Sequence, residues 1–150
     1  MPQNELIFAR GHLAPVGDFV FEKDIRLTSK YINVVAQFAS INNGNWKIIE
    51  NWVRRQLTSR TFDVLKVCTG ALHVLQLSDT RGNWKDTSLL APNKNPIPKW
   101  MYKIVSHISE AHFVFLTYNN VRPTPESGTQ ICMYVCVYVG SGCASHNNLR

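Results

Sequence analysis

Residues 42–57 read Asn42-Asn43-Gly44-Asn45-Trp46-Lys47-Ile48-Ile49-Glu50-Asn51-Trp52-Val53-Arg54-Arg55-Gln56-Leu57. The opening Asn-Asn-Gly-Asn is a loop signal. Trp46, Ile49, Val53 and Leu57 then recur at helical spacing with polar residues between them. The spacing predicts a helix from about Gly44 to Leu57, with Asn43 or Asn45 as its N-cap. A helix with one apolar stripe must bury it, so this stretch calls for a sheet to pack on.

The flanking sequence supplies that sheet. Leu6-Ile7-Phe8 opens a short strand ending near Gly11, followed by a loop broken by Pro15 and Gly17. Asp24 to Asn33 has no clear period, and Tyr31 to Val35 suits a short strand or a turn. Beyond the helix, 62–69, 71–77, 100–105, 112–118 and 131–139 read as strands. Asp79-Thr80-Arg81-Gly82-Asn83 reads as a hairpin turn. The stretches 92–98 and 123–128 read as loops, and 144–150 as a flexible tail. Strands gathered around one main helix make a single α+β domain spanning 1–150.

The 150 residues are enough chain to bury a core, and 45% hydrophobic content excludes a disordered chain. No apolar run is long enough for a membrane-spanning helix, so no membrane partner is expected. The polar start Met1-Pro2-Gln3-Asn4-Glu5 carries no signal-peptide pattern. Sixteen Lys and Arg against ten Asp and Glu give a net charge of +6, which suits an anionic partner such as nucleic acid.

Cys68 stands alone, and Cys132 and Cys136 share an apparent strand with Cys143 shortly after. Strand positions four apart lie ~13 Å apart, so Cys132 is not expected to bridge Cys136. The spacing does not fit a zinc site. Two disulfides are allowed, with Cys68 as one candidate partner, and their connectivity is left open.

The polar residues of the first third suggest chemistry. A histidine next to a strand end can take a proton from water near neutral pH. An Asn carbonyl suffices as the protein ligand of a magnesium ion that keeps most of its waters. An arginine fork grips phosphate. Each piece also has an ordinary reading. His12 can be a loop histidine and Asn42 a turn residue. Glu50 and Arg54, four apart on a helix, can be an exposed ion pair worth ~0.2–0.5 kcal/mol.

The combined spacing is more specific. Arg10-Gly11-His12-Leu13-Ala14-Pro15, then Asn33 with Gln37, then Asn42-x-Gly44-x-Trp46-x-x-x-Glu50-x-x-x-Arg54 resembles the DNA/RNA non-specific endonuclease family. These are the ββα-metal, or His-Me finger, nucleases. They include the Serratia-type nuclease, endonuclease G and the arthropod nucleases that degrade double-stranded RNA. The wording around Phe8 to Leu13 is most similar to the arthropod branch. The tight match covers about 7–57, and a looser one runs through 58–140 with Val67 to Gly70, Ile97 to Lys103 and Tyr118 to Asn120.

The resemblance implies a ββα-metal core with a mixed or antiparallel sheet and one catalytic helix. It implies hydrolysis of phosphodiester bonds in DNA and RNA, double-stranded RNA included, with magnesium as cofactor and manganese as the alternative ion. His12 would be the general base and Asn42 the metal ligand. Glu50 would hold a metal-bound water. Arg10 and Arg54 would stabilise the phosphate or position the catalytic loop, and Asn33 and Gln37 would support the site. The resemblance also implies secretion and leaves room for a homodimer. Ala9 and Ala36 depart from the family's usual Asp and Pro. Only nine residues precede Arg10, where the family has a larger N-terminal portion. The alternative reading is therefore a truncated relative that binds nucleic acid without cleaving it.

Overall fold

The computed structural model describes residues 7–90 and 94–121, together with the backbone of strands at 133–139 and 142–145. The first strand, β1 (Phe8–His12), pairs antiparallel with β2 (Val34–Phe38) in a two-stranded ribbon. Between them run a tight turn at Val16–Asp18, helix α1 (Glu22–Thr28) and a second turn at Tyr31–Asn33. After β2 a helical turn, α2 (Ala39–Ile41), leads through a wider turn at Asn42–Trp46 into the main helix α3 (Lys47–Thr58).

The rest of the chain is antiparallel sheet. A five-stranded sheet has the order β3 (Lys66–Val74), β6 (Pro98–Ser106), β7 (His112–Tyr118), β8 (Met133–Val139), β9 (Gly142–Ser145). A small hairpin pairs β4 (Gln76–Ser78) with β5 (Trp84–Asp86). Its turn is the expected one. Asp79 Oδ1 accepts from the Arg81 and Asn83 amides, and Gly82 takes the positive φ of +83° that the turn requires. The expected mixed α+β fold, with antiparallel sheets and one main helix, is what forms.

The apolar stripe of α3 is buried where the spacing predicted. Trp46, Ile49 and Val53 join Phe38, Met101, Val105 and Phe115 in one core. Trp52 adds edge contacts to Phe113 and Phe115 of β7, with centroids 4.9 and 5.1 Å away. Leu57, expected in the stripe, is 41% exposed and lines a groove shared with Val67 of β3. The ribbon is stapled to the five-stranded sheet by buried Asn119. Its Oδ1 accepts from the Phe38 amide, and its Nδ2 donates to the Ala36 and Pro98 carbonyls. Three buried backbone groups are thereby satisfied by one side chain.

Four local expectations change. The stretch from Asp24, read as having no clear period, lies partly in α1; at seven residues that helix is too short to show a period. The segment 42–45, read as loop, is helical and kinks at Gly44 (φ −98°, ψ −108°). Neither Asn43 nor Asn45 caps α3. The helix continues from the preceding turn, and the Lys47 amide already finds the Gly44 carbonyl. The two strands read across 62–77 are instead β3 and the short β4. They are separated by Leu75, which is fully buried and donates to the Ile97 carbonyl at 2.7 Å. Cys68 lies exposed on β3 as a free thiol. The side chains of Cys132, Cys136 and Cys143, and the 123–128 loop, lie outside the described residues.

Candidate active site around His12

His12 ends β1, and the backbone that follows it is held at every polar atom from the His12 carbonyl to the Ala14 carbonyl. Trp46 Nε1 donates to the His12 carbonyl at 2.9 Å. The Leu13 amide donates to the Asn33 carbonyl at 2.9 Å. Lys103 Nζ donates to the Leu13 carbonyl at 2.9 Å. The Ala14 amide donates to Asn33 Oδ1 at 2.8 Å, and Asn33 Nδ2 returns a bond to the Ala14 carbonyl at 2.9 Å. A second Asn33 Nδ2 bond, 2.8 Å, reaches the Thr28 carbonyl at the end of α1. Asn33 is thus committed to backbone, which places it as a clamp on the loop after His12.

The imidazole of His12 is half-buried, and its Nε2 is buried with no hydrogen-bond partner. Burial disfavours the charged ring and the Arg10 guanidinium adds repulsion, so the pKa falls below the ordinary 6.5. Both effects favour the neutral ring. Arg10 itself is exposed, and its Nη2 donates to the Ser29 carbonyl at 3.3 Å. Gln37 is fully buried, packs over Gly11, and neither atom of its carboxamide has a partner.

The helix side of the site comes from the 42–46 turn and α3. The Trp46 bond to the His12 carbonyl draws that turn against the end of β1. Asn42 is half-buried at the start of the turn, and among the described residues no hydrogen bond engages its side chain. One helical turn beyond Trp46, Glu50 is 13% exposed. Burial raises its pKa, and the charges of Lys103 and Arg54 pull back against that rise. Arg54 spreads its fork over three acceptors. Nε meets Asp18 Oδ1 at 2.8 Å, Nη1 meets Asn51 Oδ1 at 2.8 Å, and Nη2 lies 3.8 Å from Glu50 Oε2. A groove of about 420 Å³ runs beside it, lined by Gly17, Asp18, Val53, Arg54, Leu57 and Thr58 among others.

Two contributors escaped sequence reasoning: Asp18, read as part of a broken loop, and Lys103, read as a strand residue. Trp46 belongs to the motif, and its bond to the His12 carbonyl gives it a part beyond the core. Lys103 is 2% exposed, and its ammonium sits 4.9 Å from the Trp46 ring centroid. Its only sequence-level signal is a lysine inside an alternating strand, on the face that carries Met101 and Val105. Asn42 carries an amide carbonyl and Glu50 a carboxylate, oxygen donors of the kind a hard divalent cation takes, and among the described residues no three His, Cys, Asp or Glu side chains gather.

The chain is similar to known proteins. The chain is 33% identical over 135 residues to a salivary endonuclease of Lutzomyia longipalpis, a match covering 89% of this chain and 32% of that protein. It is 30% identical over 132 residues to the salivary protein Tsal1 of Glossina morsitans morsitans, covering 86% of this chain and 32% of that one. The chain therefore spans about a third of the length of these relatives. Its fold is similar to that in the crystal structure of the EndoG/EndoGI complex. The TM-score is 0.59 at 24% identity, over 83% of this chain and 51% of the other. The profile of one family matches residues 2–136, and this chain accordingly belongs to the DNA/RNA non-specific endonuclease family.

Proposed function

We propose that this chain carries the catalytic core of a metal-dependent endonuclease that hydrolyses phosphodiester bonds in DNA and RNA, including double-stranded RNA, without sequence choice. The observation that carries the reading is the backbone after His12, clamped by Trp46, Asn33 and Lys103, with burial and Arg10 lowering the pKa of the ring it carries. A general base works unprotonated and in a set place, and both features favour that in His12.

His12 takes the proton of the attacking water. Arg54, whose fork is pre-set by Asp18 and Asn51, offers positive charge to the phosphate as negative charge accumulates. Arg10 adds a second cation on the His12 strand. Asn42 is the residue to hold magnesium, or manganese as the alternative ion, with Glu50 ordering its water shell. When bound, that ion supplies neutralisation of the phosphate and the leaving oxygen. Gln37 and Asn33 support the site through packing and loop geometry. The salivary origin of the two relatives supports export from the cell as the setting for this activity.

The test is cleavage of supercoiled plasmid and of long double-stranded RNA by the purified chain with magnesium. Cleavage should stop in EDTA, and His12→Ala should lower the rate by about 10²–10⁴ while binding holds. Asn42→Ala should raise the magnesium concentration needed for half-maximal rate. Cleavage that persists in EDTA, or a His12→Ala variant as fast as the parent, would overturn the reading. Binding without cleavage in the parent would instead favour the truncated nucleic-acid binder.

A further inference from the structure

Lys103 lies in the middle of β6, paired with Thr69 of β3 on one side and Phe115 of β7 on the other. Its neighbours on the same strand face, Met101 and Val105, are fully buried core residues. An ammonium in that position is expensive. Taking it out of water costs several kcal/mol, and an apolar side chain of similar volume often replaces a buried charge with no loss of stability. Overall stability is therefore a poor explanation for it. The described contacts of its ammonium are with the His12 loop and with Trp46 in the 42–46 turn.

Ninety residues separate Lys103 from the Leu13 carbonyl that its Nζ engages at 2.9 Å. Its ammonium also faces the Trp46 ring at 4.9 Å, and the Trp46 indole holds the preceding carbonyl, that of His12. Two successive peptide carbonyls after His12 are thus gripped by two side chains that also contact each other. Burial lowers the pKa of Lys103, the charges of Glu50 and Asp18 oppose that fall, and Arg54 adds to it.

We propose that Lys103 is a positioning residue of the nuclease site, tying the central sheet to the peptide that follows His12 through the Leu13 carbonyl and the Trp46 ring. The role rests on the reading of His12 as the catalytic base. Lys103 touches neither the attacking water nor the phosphate; it acts through the backbone of residues 12–13. Without it, the Leu13 carbonyl has no donor, and the ring attached one residue earlier samples several orientations. Misplacement by about 1 Å can cost ~10²-fold in rate.

The experiment compares Lys103→Met and Lys103→Arg with the parent. It reads melting temperature, amide hydrogen exchange at Leu13 and Ala14, and kcat and KM on plasmid DNA. Lys103→Met should melt within a few degrees of the parent, exchange faster at Leu13 and Ala14, and lose kcat by about tenfold or more with KM little changed. Lys103→Arg should recover part of that kcat. Unchanged exchange and unchanged kcat in Lys103→Met would overturn the proposal. So would a large fall in melting temperature with no recovery in Lys103→Arg, which would assign Lys103 to packing. A parent that does not cleave DNA or RNA would refute the nuclease reading, and the exchange data would still decide whether Lys103 holds the loop.

Discussion

The side chain of Gln37 lies directly across Gly11. A Cβ built on Gly11 would coincide with the Gln37 carboxamide. The two residues sit on adjacent strands of the ribbon, with Gly11 opposite Val35 and Gln37 opposite Ala9. The glycine of Arg10-Gly11-His12 is thus a packing requirement next to His12, and the distant glutamine is what imposes it.

Gly11→Ala should therefore destabilise the fold by about 1–3 kcal/mol, because Gln37 is fully buried and has nowhere to retreat. Gly11→Ala with Gln37→Ala should recover much of that loss, since the second change opens the space the first one needs. Denaturant unfolding of the two singles and the double gives the coupling directly. Strict additivity would mean that the two side chains do not compete for one volume.

Gln37→Met separates stability from function. Both polar atoms of the buried carboxamide lack a partner, and that costs about 1–3 kcal/mol for such groups. Methionine keeps the volume and removes the cost, so thermal unfolding should show an equal or higher melting temperature. Cleavage should fall if the carboxamide supports the site through substrate or solvent. A lower melting temperature would mean that the carboxamide is satisfied in the native protein.

Asn33 is the converse case, because its amide is fully used. Asn33→Ala removes one acceptor and two donors from the loop after His12 and should cost about 2–4 kcal/mol. Asn33→Asp should be at least as damaging, since a carboxylate would face the carbonyls of Ala14 and Thr28. Chemical denaturation checks both. A neutral Asn33→Asp would show that these carbonyls are not its partners.

What was legible follows the range of the interaction. The α3 stripe shows in sequence because its period repeats over three turns, and Ile49 and Val53 are buried accordingly. β6 and β7 show because alternation persists over nine and seven residues. The 42–45 segment was misread because Asn-Asn-Gly-Asn composition favours a loop, while the burial of Ile41 and Trp46 on either side holds it helical. The grouping of His12, Glu50 and Arg54 came from motif spacing, and periodicity alone would have left each as an ordinary surface residue. Lys103 showed only as a lysine on the apolar face of an alternating strand and Asp18 not at all, since their contacts join residues 90 and 36 positions apart.

The pH dependence of cleavage should report His12. Burial and Arg10 both lower its pKa from 6.5, so the neutral, active ring persists to a lower pH than a free imidazole allows. The acid limb of kcat/KM should therefore lie below 6.5. Arg10→Met removes the repelling charge, so the His12 pKa should rise and the acid limb should move toward 6.5. A limb above 6.5 in the parent, or a downward shift in Arg10→Met, would contradict the electrostatics of the site.

Arg54 tests whether fork geometry or charge matters at the phosphate. The fork is anchored at Nε by Asp18 and at Nη1 by Asn51, which aims the guanidinium before substrate arrives. Arg54→Lys keeps the charge, but one ammonium cannot bond both anchors and still face a phosphate in two places. Its rate should therefore fall most of the way to that of Arg54→Ala, and both should stay faster than His12→Ala. Asp18→Ala leaves the charge and the fork intact and removes only the anchor. Arg54 and Asp18 are 35% and 36% exposed, so losing their ion pair should change stability by less than about 1 kcal/mol. The rate should nonetheless fall about tenfold, because the arginine must then be ordered during the reaction. Steady-state cleavage and thermal melts of the three variants decide the matter. An Arg54→Lys variant as fast as the parent would make charge alone sufficient. An Asp18→Ala variant that loses several kcal/mol of stability would make the pair structural.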